Sequence, residues 1–161
     1  YTGVDFAGDL LALADAPGRL VQRDLTQPGS LADLGRFDLV VCLSTLQHIP
    51  GSDNRARLVA EMGACLSPGG HLALANWQFT GSARQRRKIR PWAEVGLQAS
   101  AVEPGDFLLS WQRGGSGLRY VALIDEEATR RLATAAGLRI VDQYRRDGHE
   151  GDLNLYTVLA G

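Results

Sequence analysis

Cysteine is nearly absent from this 161-residue chain: Cys42 and Cys65 are the whole complement. Both sit among apolar neighbours, which excludes a disulfide framework and fits buried thiols in a reducing compartment, the cytoplasm. A charge of one sign is lacking too. Seventeen Lys+Arg stand against eighteen Asp+Glu, a formal net charge of -1. That balance excludes a wholly basic nucleic-acid coat protein and a polyacidic tail, so any surface for a charged partner must be local. Long apolar runs are missing: residues 39–43 form one of the longest, far below the roughly 18 that a membrane span needs. Residues 1–11 carry Asp5 and Asp9 and lack the basic start and unbroken apolar core of a secretion signal. No repeat longer than a strand–helix unit, no low-complexity segment and no metal site is expected. What remains, 45% hydrophobic and 22% charged, is one ordinary soluble domain over residues 1–161.

Along the chain, residues 1–5 (YTGVD) read as a short strand ending in an acid, and Leu10, Leu11, Leu13 and Ala14 follow at helical spacing. Pro17-Gly18 closes that helix, and residues 19–24 (RLVQRD) supply a second strand that again ends in an acid. After a turn at Pro28-Gly29, a short helical piece is expected near residues 31–34. Residues 37–43 (FDLVVCL) are nearly continuously apolar, the pattern of a strand buried on both faces in a parallel sheet. Asp53 opens a helix through Leu58, Val59, Met62 and Leu66, which Pro68-Gly69-Gly70 stops before the strand at 71–77 (HLALANW). This alternation predicts a doubly wound α/β domain.

The alternation breaks at Gln78. Residues 82–90 (SARQRRKIR) gather five positive charges, with Pro91-Trp92 behind them, and read as an insertion or cap rather than sheet. The whole of residues 78–124 is expected on the substrate side. Within it, residues 107–111 and 118–124 flank Arg113-Gly114-Gly115-Ser116-Gly117 and form a hairpin. Asp125 caps a helix that uses Leu132 and Ala136 and ends at Gly137. Two last strands, 138–144 and 153–159, have no helix between them and should pair antiparallel.

Ligands of open α/β sheets bind beyond the carboxyl ends of the strands, which puts Asp5, Asp24 and residues 44–49 on one rim. Asp5 there could accept both hydroxyls of a ribose; equally, it could serve only the free N–H groups of the helix that follows. Asp24, with the Leu25 amide, could address an adenine ring, or be one more turn acid. His48 could orient a substrate, act as a base, or be a loop histidine. The run Arg84, Arg86, Arg87, Lys88 and Arg90 could neutralise RNA phosphates, with Trp92 or Trp111 as a stacking face for a splayed base. The plainer reading is a solvated loop. Trp111 and Tyr120, on opposing hairpin arms, read more simply as a cross-strand pair than as a clamp.

The succession GVDFAGDLLALA, RDL, FDLVVCLSTLQHI and LSPGGHLALANW resembles the class I S-adenosylmethionine-dependent methyltransferases over most of residues 1–77. The resemblance implies a Rossmann-like α/β methyltransferase sheet, mostly parallel with an antiparallel carboxyl-terminal strand pair, and S-adenosylmethionine as cofactor. It implies that Asp5 with Phe6 meets the ribose, that Asp24 with Leu25 meets adenine, and that Leu43, Ser44 and His48 line the methionine arm. In that family a glycine-rich loop follows the first strand. Here the chain begins at the family's second strand, and the glycine cluster at 114–117 opens no helix and cannot replace that loop. The sheet is thus expected to lack its first strand, and the chain alone to be a poor donor binder. Either a gap or direct pairing between residues 1–5 and 37–43 should follow.

A finer resemblance lies in IRPWAEVGL, PGDFLLSWQRGGSGLRYV and DLNLYTVLAG, which look like the wobble-uridine tRNA methyltransferases that esterify a carboxymethyl group on uridine. It implies an RNA-facing set of Arg84, Arg86, Arg87, Lys88, Arg90, Trp92, Trp111, Arg119 and Tyr120, with tRNA and a small activator protein as partners. The chain departs from the eukaryotic members at Gln112, Val121-Ala122 and Leu155. Two rivals stand beside this reading: a small-molecule O- or N-methyltransferase of the same fold, with residues 78–124 as a lid, and a non-catalytic partner subunit.

Overall fold

The computed structural model describes residues 1–15, 17–112 and 115–161. Arg113 and Gly114 of the expected hairpin loop lie outside the described residues. Two parallel strands open the chain, β1 (Thr2–Asp5) and β2 (Arg19–Gln22), joined through the short helix α1 (Gly8–Leu13). Residues 31–34, expected to be helical, form turns instead. The pieces between Gly29 and Gly35 are too short for a helix to nucleate, and the bonds made are single-turn ones such as Ala32 N–H to Gly29 C=O at 3.1 Å.

A mixed four-stranded sheet forms the body, in the order β3 (Phe37–Leu43), β4 (Leu66–Trp77), β9 (Asn154–Ala160), β8 (Arg139–Arg146). Only β3 and β4 run parallel in it; β9 is antiparallel to both its neighbours. The expectation of a mostly parallel sheet is therefore corrected, because the helix-free return from β8 inserts β9 against β4. The antiparallel final pair is as expected. Strand β4 also starts five residues earlier than the sequence suggested, running through Pro68-Gly69-Gly70. Gly70 is needed there: a Cβ on it would lie 3.0 Å from the Phe37 carbonyl oxygen.

Helix α2 (Ser52–Ala64) buries Arg55, Leu58, Val59 and Met62, a stripe at i, i+3, i+4 and i+7. Gly51 precedes it at φ 84°, a left-handed geometry that a side chain would strain. Helix α4 (Glu126–Ala135) is capped as expected, the Asp125 carboxylate accepting from Ala128 N–H at 2.8 Å. It stops at Gly137 (φ 68°), where Leu138 N–H returns to Ala133 C=O and Gly137 N–H to Thr134 C=O. Both helices pack with β3, β4 and β9 in one core that includes Leu46, Leu58, Leu72, Leu132 and Leu159.

Strand β3 is not buried on both faces. Phe37, Val40 and Cys42 join the core, while Leu39, Val41 and Leu43 are 60%, 54% and 55% exposed. The reason is on its free side: β1 does not pair with β3, and a cavity of about 310 Å³ lies between them, lined by Thr2, Gly3, Leu39, Val41 and Leu43 among others.

The segment after β4 builds a third sheet, β5 (Ile89–Arg90), β6 (Asp106–Trp111) and β7 (Gly117–Ala122), with a four-residue helix α3 (Ala83–Arg86) ahead of it. The end of the basic run is thus sheet after all, since Ile89 and Arg90 pair with Leu109 and Leu108. The hairpin forms as expected, but Trp111 stands opposite Gly117 and Tyr120 opposite Leu108, so Trp111 and Tyr120 are not a cross-strand pair.

Candidate active site

The carboxyl ends of β1, β2 and β3 meet around a cavity of about 710 Å³. Asp5, Phe6, Asp24, Leu25, Ser44 and His48 line it, so six residues singled out in the sequence come together. Leu43 does not join them; it borders the smaller cavity beside β3, because alternation along the strand turns it the other way from Cys42. Thr45 and Ile49, within the expected segment 44–49, also line it, as do Val4, Gln22, Arg23 and Thr26, which were missed. The available signal was adjacency, since each lies within two residues of a strand-end acid, Ser44 or His48.

Asp5 accepts Ala7 N–H on Oδ1 at 2.9 Å, and among the described residues its Oδ2 takes no hydrogen bond. That leaves one carboxylate oxygen at the cavity beside a tight turn, and the Ala7 bond fits the reading in which Asp5 serves the N–H groups at the start of α1. Asp24 is more engaged: Oδ1 accepts the Thr26 hydroxyl at 2.7 Å and its N–H at 2.9 Å, and Oδ2 accepts Gln27 Nε2 at 3.2 Å. These bonds, the Thr26 hydroxyl first, hold its carboxyl below the usual range. Ser44 sits at φ 55° and donates its N–H to Ala75 C=O at 2.8 Å. A non-glycine residue in that region costs of order 1–3 kcal/mol and is kept where a rim must be shaped.

His48 closes the 3₁₀ turn Leu46–His48. Its Nδ1 lies 2.9 Å from the Tyr120 carbonyl oxygen, which can only accept, so Nδ1 carries the proton and Nε2 is the acceptor. Burial, against the Tyr120 bond and with the positive field of Arg119, holds the imidazole below its ordinary pKa and hence neutral. The ring meets Trp77 edge-on at 5.8 Å. Trp77 ends β4, and the Arg119 guanidinium lies over its ring at 4.6 Å.

Tyr120 is used from within. Its hydroxyl donates to Asp106 at 2.6 Å and accepts from Arg55 Nη1 at 2.8 Å, and burial with the Asp106 bond pushes its pKa up. Arg55 also donates to Ile49 C=O and Glu103 at 3.0 and 2.9 Å. This network ties β7 to α2 and the 3₁₀ turn, and so fixes the carbonyl that orients His48. Trp92 packs at 6.4 Å from the Tyr120 ring. None of the basic run lines the cavity. Arg86 donates to the Thr80 and Gly81 carbonyls, and Arg90 pairs with Glu94. Arg84, Arg87 and Lys88 make no ion pair among the described residues. Trp111, 43% exposed, stands at the far end of the hairpin.

Residues 1–74 match the family model described as a methyltransferase domain. A candidate methyltransferase of Encephalitozoon cuniculi (strain GB-M1) is 29% identical over 142 residues, covering 87% of this chain and 62% of the relative's length. The chain thus spans less than two thirds of that relative. Among solved structures, an S-adenosylmethionine-dependent methyltransferase from Clostridium acetobutylicum ATCC 824 superimposes with a TM-score of 0.72 at 14% identity, over 99% of this chain and 75% of that one. The glycopeptide N-methyltransferase MtfA, complexed with S-adenosyl-L-homocysteine, gives 0.66 at 17% identity, over 99% and 72%. The chain shares the fold of these methyltransferases. Residues 1–74 are thus similar to a methyltransferase domain, and MtfA, which shares the fold, has been solved with S-adenosyl-L-homocysteine and with S-adenosyl-L-methionine bound.

Proposed function

We propose that the protein transfers a methyl group from S-adenosylmethionine to a carboxymethylated wobble uridine of tRNA, in the cytoplasm and with a small activator protein as partner. The observation that carries methyl transfer is the cavity where three strand ends present Asp5, Asp24 and Ser44 together. The donor set suits the cofactor: Asp5 keeps an unpaired carboxylate oxygen for ribose hydroxyls, and Asp24 Oδ2, held only by a 3.2 Å bond, can take an adenine amino group. When bound, the cofactor supplies an electrophilic methyl group on a cationic sulfur. Leu25, Phe6 and Ile49 line the same cavity and would flank the adenine ring. A carboxylate acceptor needs no base. One of its oxygens forms the new C–O bond as the S–C bond breaks, and the two opposite charges vanish together, so alignment supplies most of the rate. His48, neutral and held by Tyr120, orients the acceptor and moves no proton.

RNA as the acceptor is supported by Arg84, Arg87 and Lys88, cations without an acid partner among the described residues, on a nearly neutral chain. No helix is long and apolar enough to cross a membrane among the described residues. A second reading, a small-molecule or peptide acceptor, is favoured by the likeness to the glycopeptide N-methyltransferase. Phosphate contacts weaken steeply with salt, so tRNA affinity measured against salt concentration separates the two. Replacing Arg84, Arg86, Arg87 and Lys88 together with Gln should flatten the log–log slope by about 2–4, roughly one for each phosphate no longer neutralised. An unchanged slope returns the run to a solvated loop and favours the small acceptor.

A further inference from the structure

Arg55 bonds the Tyr120 hydroxyl and Arg119 precedes Tyr120 in β7, and the two arginines are treated in opposite ways. Arg55 is buried and answered by Glu103 at 2.9 Å and Asp106 at 3.9 Å. The Arg119 side chain has no acid partner and makes no hydrogen bond among the described residues, and its Nε is shielded from water without an acceptor. Burial has already lowered its pKa from the ordinary arginine value. Leaving a guanidinium donor dry and unpaired is costly, and a native structure keeps such a group where a ligand completes it.

The surroundings say what kind of ligand. The Arg119 guanidinium carbon lies 4.6 Å over the Trp77 ring, so the ring covers one side of the group and leaves the others for hydrogen bonds. Trp77 ends β4, so Arg119 stands on the same side of the molecule as the strand ends that form the cavity. His48, which lines that cavity, touches the same Trp77 and feels the Arg119 charge. One planar, five-donor cation with no second cation paired to it matches a singly charged, planar oxyanion that accepts two parallel hydrogen bonds.

We propose that Arg119, held over Trp77 beside His48, seats a carboxylate of the methyl acceptor. This rests on the tRNA methyltransferase reading above. Arg119 is then the residue that distinguishes a carboxymethylated acceptor from its uncharged counterpart, and the neutral His48 Nε2 stands next to it as an acceptor for an adjacent N–H or O–H. A bidentate pair with Arg is geometrically specific, so Lys in its place should not suffice.

The test uses two anticodon stem-loops, identical except for 5-carboxymethyluridine or 5-carbamoylmethyluridine at the wobble position, with binding followed by fluorescence anisotropy. The wild-type protein should bind the carboxylate form about tenfold or more tightly, and Arg119→Gln should bring the ratio to near one. Arg119→Lys should recover less than half of the logarithm of that ratio. Calorimetry of S-adenosylhomocysteine on the same three proteins, expected to be unchanged, shows that each variant is folded. A wild-type ratio of one, or a ratio kept in a folded Arg119→Gln, overturns the proposal. Failure of the wild-type protein to bind S-adenosylhomocysteine even at about 1 mM, where a weak donor site is still occupied, instead refutes the methyltransferase reading, and the anisotropy ratio still decides the carboxylate seat.

Discussion

Asp5 carries two roles that one pair of substitutions can separate. Its Oδ1 accepts the Ala7 N–H at 2.9 Å and shapes the turn into α1, while Oδ2 is without a partner among the described residues. In the proposed complex the carboxylate also accepts from ribose hydroxyls. Hydrogen bonds to a charged acceptor contribute about 1.5–3 kcal/mol, so Asp5→Ala should weaken S-adenosylhomocysteine binding roughly 10- to 150-fold at about 1.4 kcal/mol per factor of ten. Asp5→Asn keeps an acceptor for Ala7 N–H but removes the charge and turns one oxygen into a donor, so about half of that loss is expected, on the order of 1 kcal/mol. Stability should sort the same variants differently: Ala loses the turn bond, about 0.5–1.5 kcal/mol, and Asn retains it. Isothermal calorimetry and urea unfolding on the three proteins give both quantities. If Asp5→Ala lowers stability while the dissociation constant stays put, Asp5 is only a turn acid and the ribose assignment is wrong.

Two further expectations concern the core. Leu58, fully buried on α2 between β4 and α4, should cost about 2–5 kcal/mol on truncation to Ala; urea unfolding with a loss under about 1 kcal/mol would mean that this face is not the packed centre. Cys42, on the core side of β3, has its thiol pushed up to about 11 from 9.0 by burial. Its folded pKa is raised, so the unfolded chain loses the proton first, and this contribution to stability is present below pH 9 and declines between pH 9 and about 11. The slope is at most about 1.4 kcal/mol per pH unit. The Cys42→Ala variant should lack this decline when unfolding is followed across that range, and an identical pH dependence in both proteins would show that the thiol is not desolvated.

Much of the framework was legible because local patterns carry it. The acid that ends β1, Asp24 two residues past β2, the Leu58, Val59 and Met62 stripe of α2, the Asp125 cap, the Gly137 stop and the helix-free return between β8 and β9 each follow from residues close in sequence. Short-range bonds decide such features, so spacing alone reveals them. The strand-end rule then brought Asp5, Asp24, Ser44 and His48 to one rim ahead of any knowledge of their neighbours in space.

Proximity between distant residues could not be read that way. The apolar run of β3 looks the same whether one or both faces are covered, and only the separation of β1 from β3 shows that Leu39, Val41 and Leu43 are open. Likewise, nothing local told Arg55 from Arg119. Glu103, 48 residues from Arg55, neutralises one, and Trp77, 42 residues from Arg119, holds the other without an acid. The sequence by itself determined which residues stand at the strand ends, because strand length and polarity set that. Tertiary structure alone decided which of two arginines keeps its charge uncompensated, because pairing depends on distance and desolvation between segments far apart in the chain.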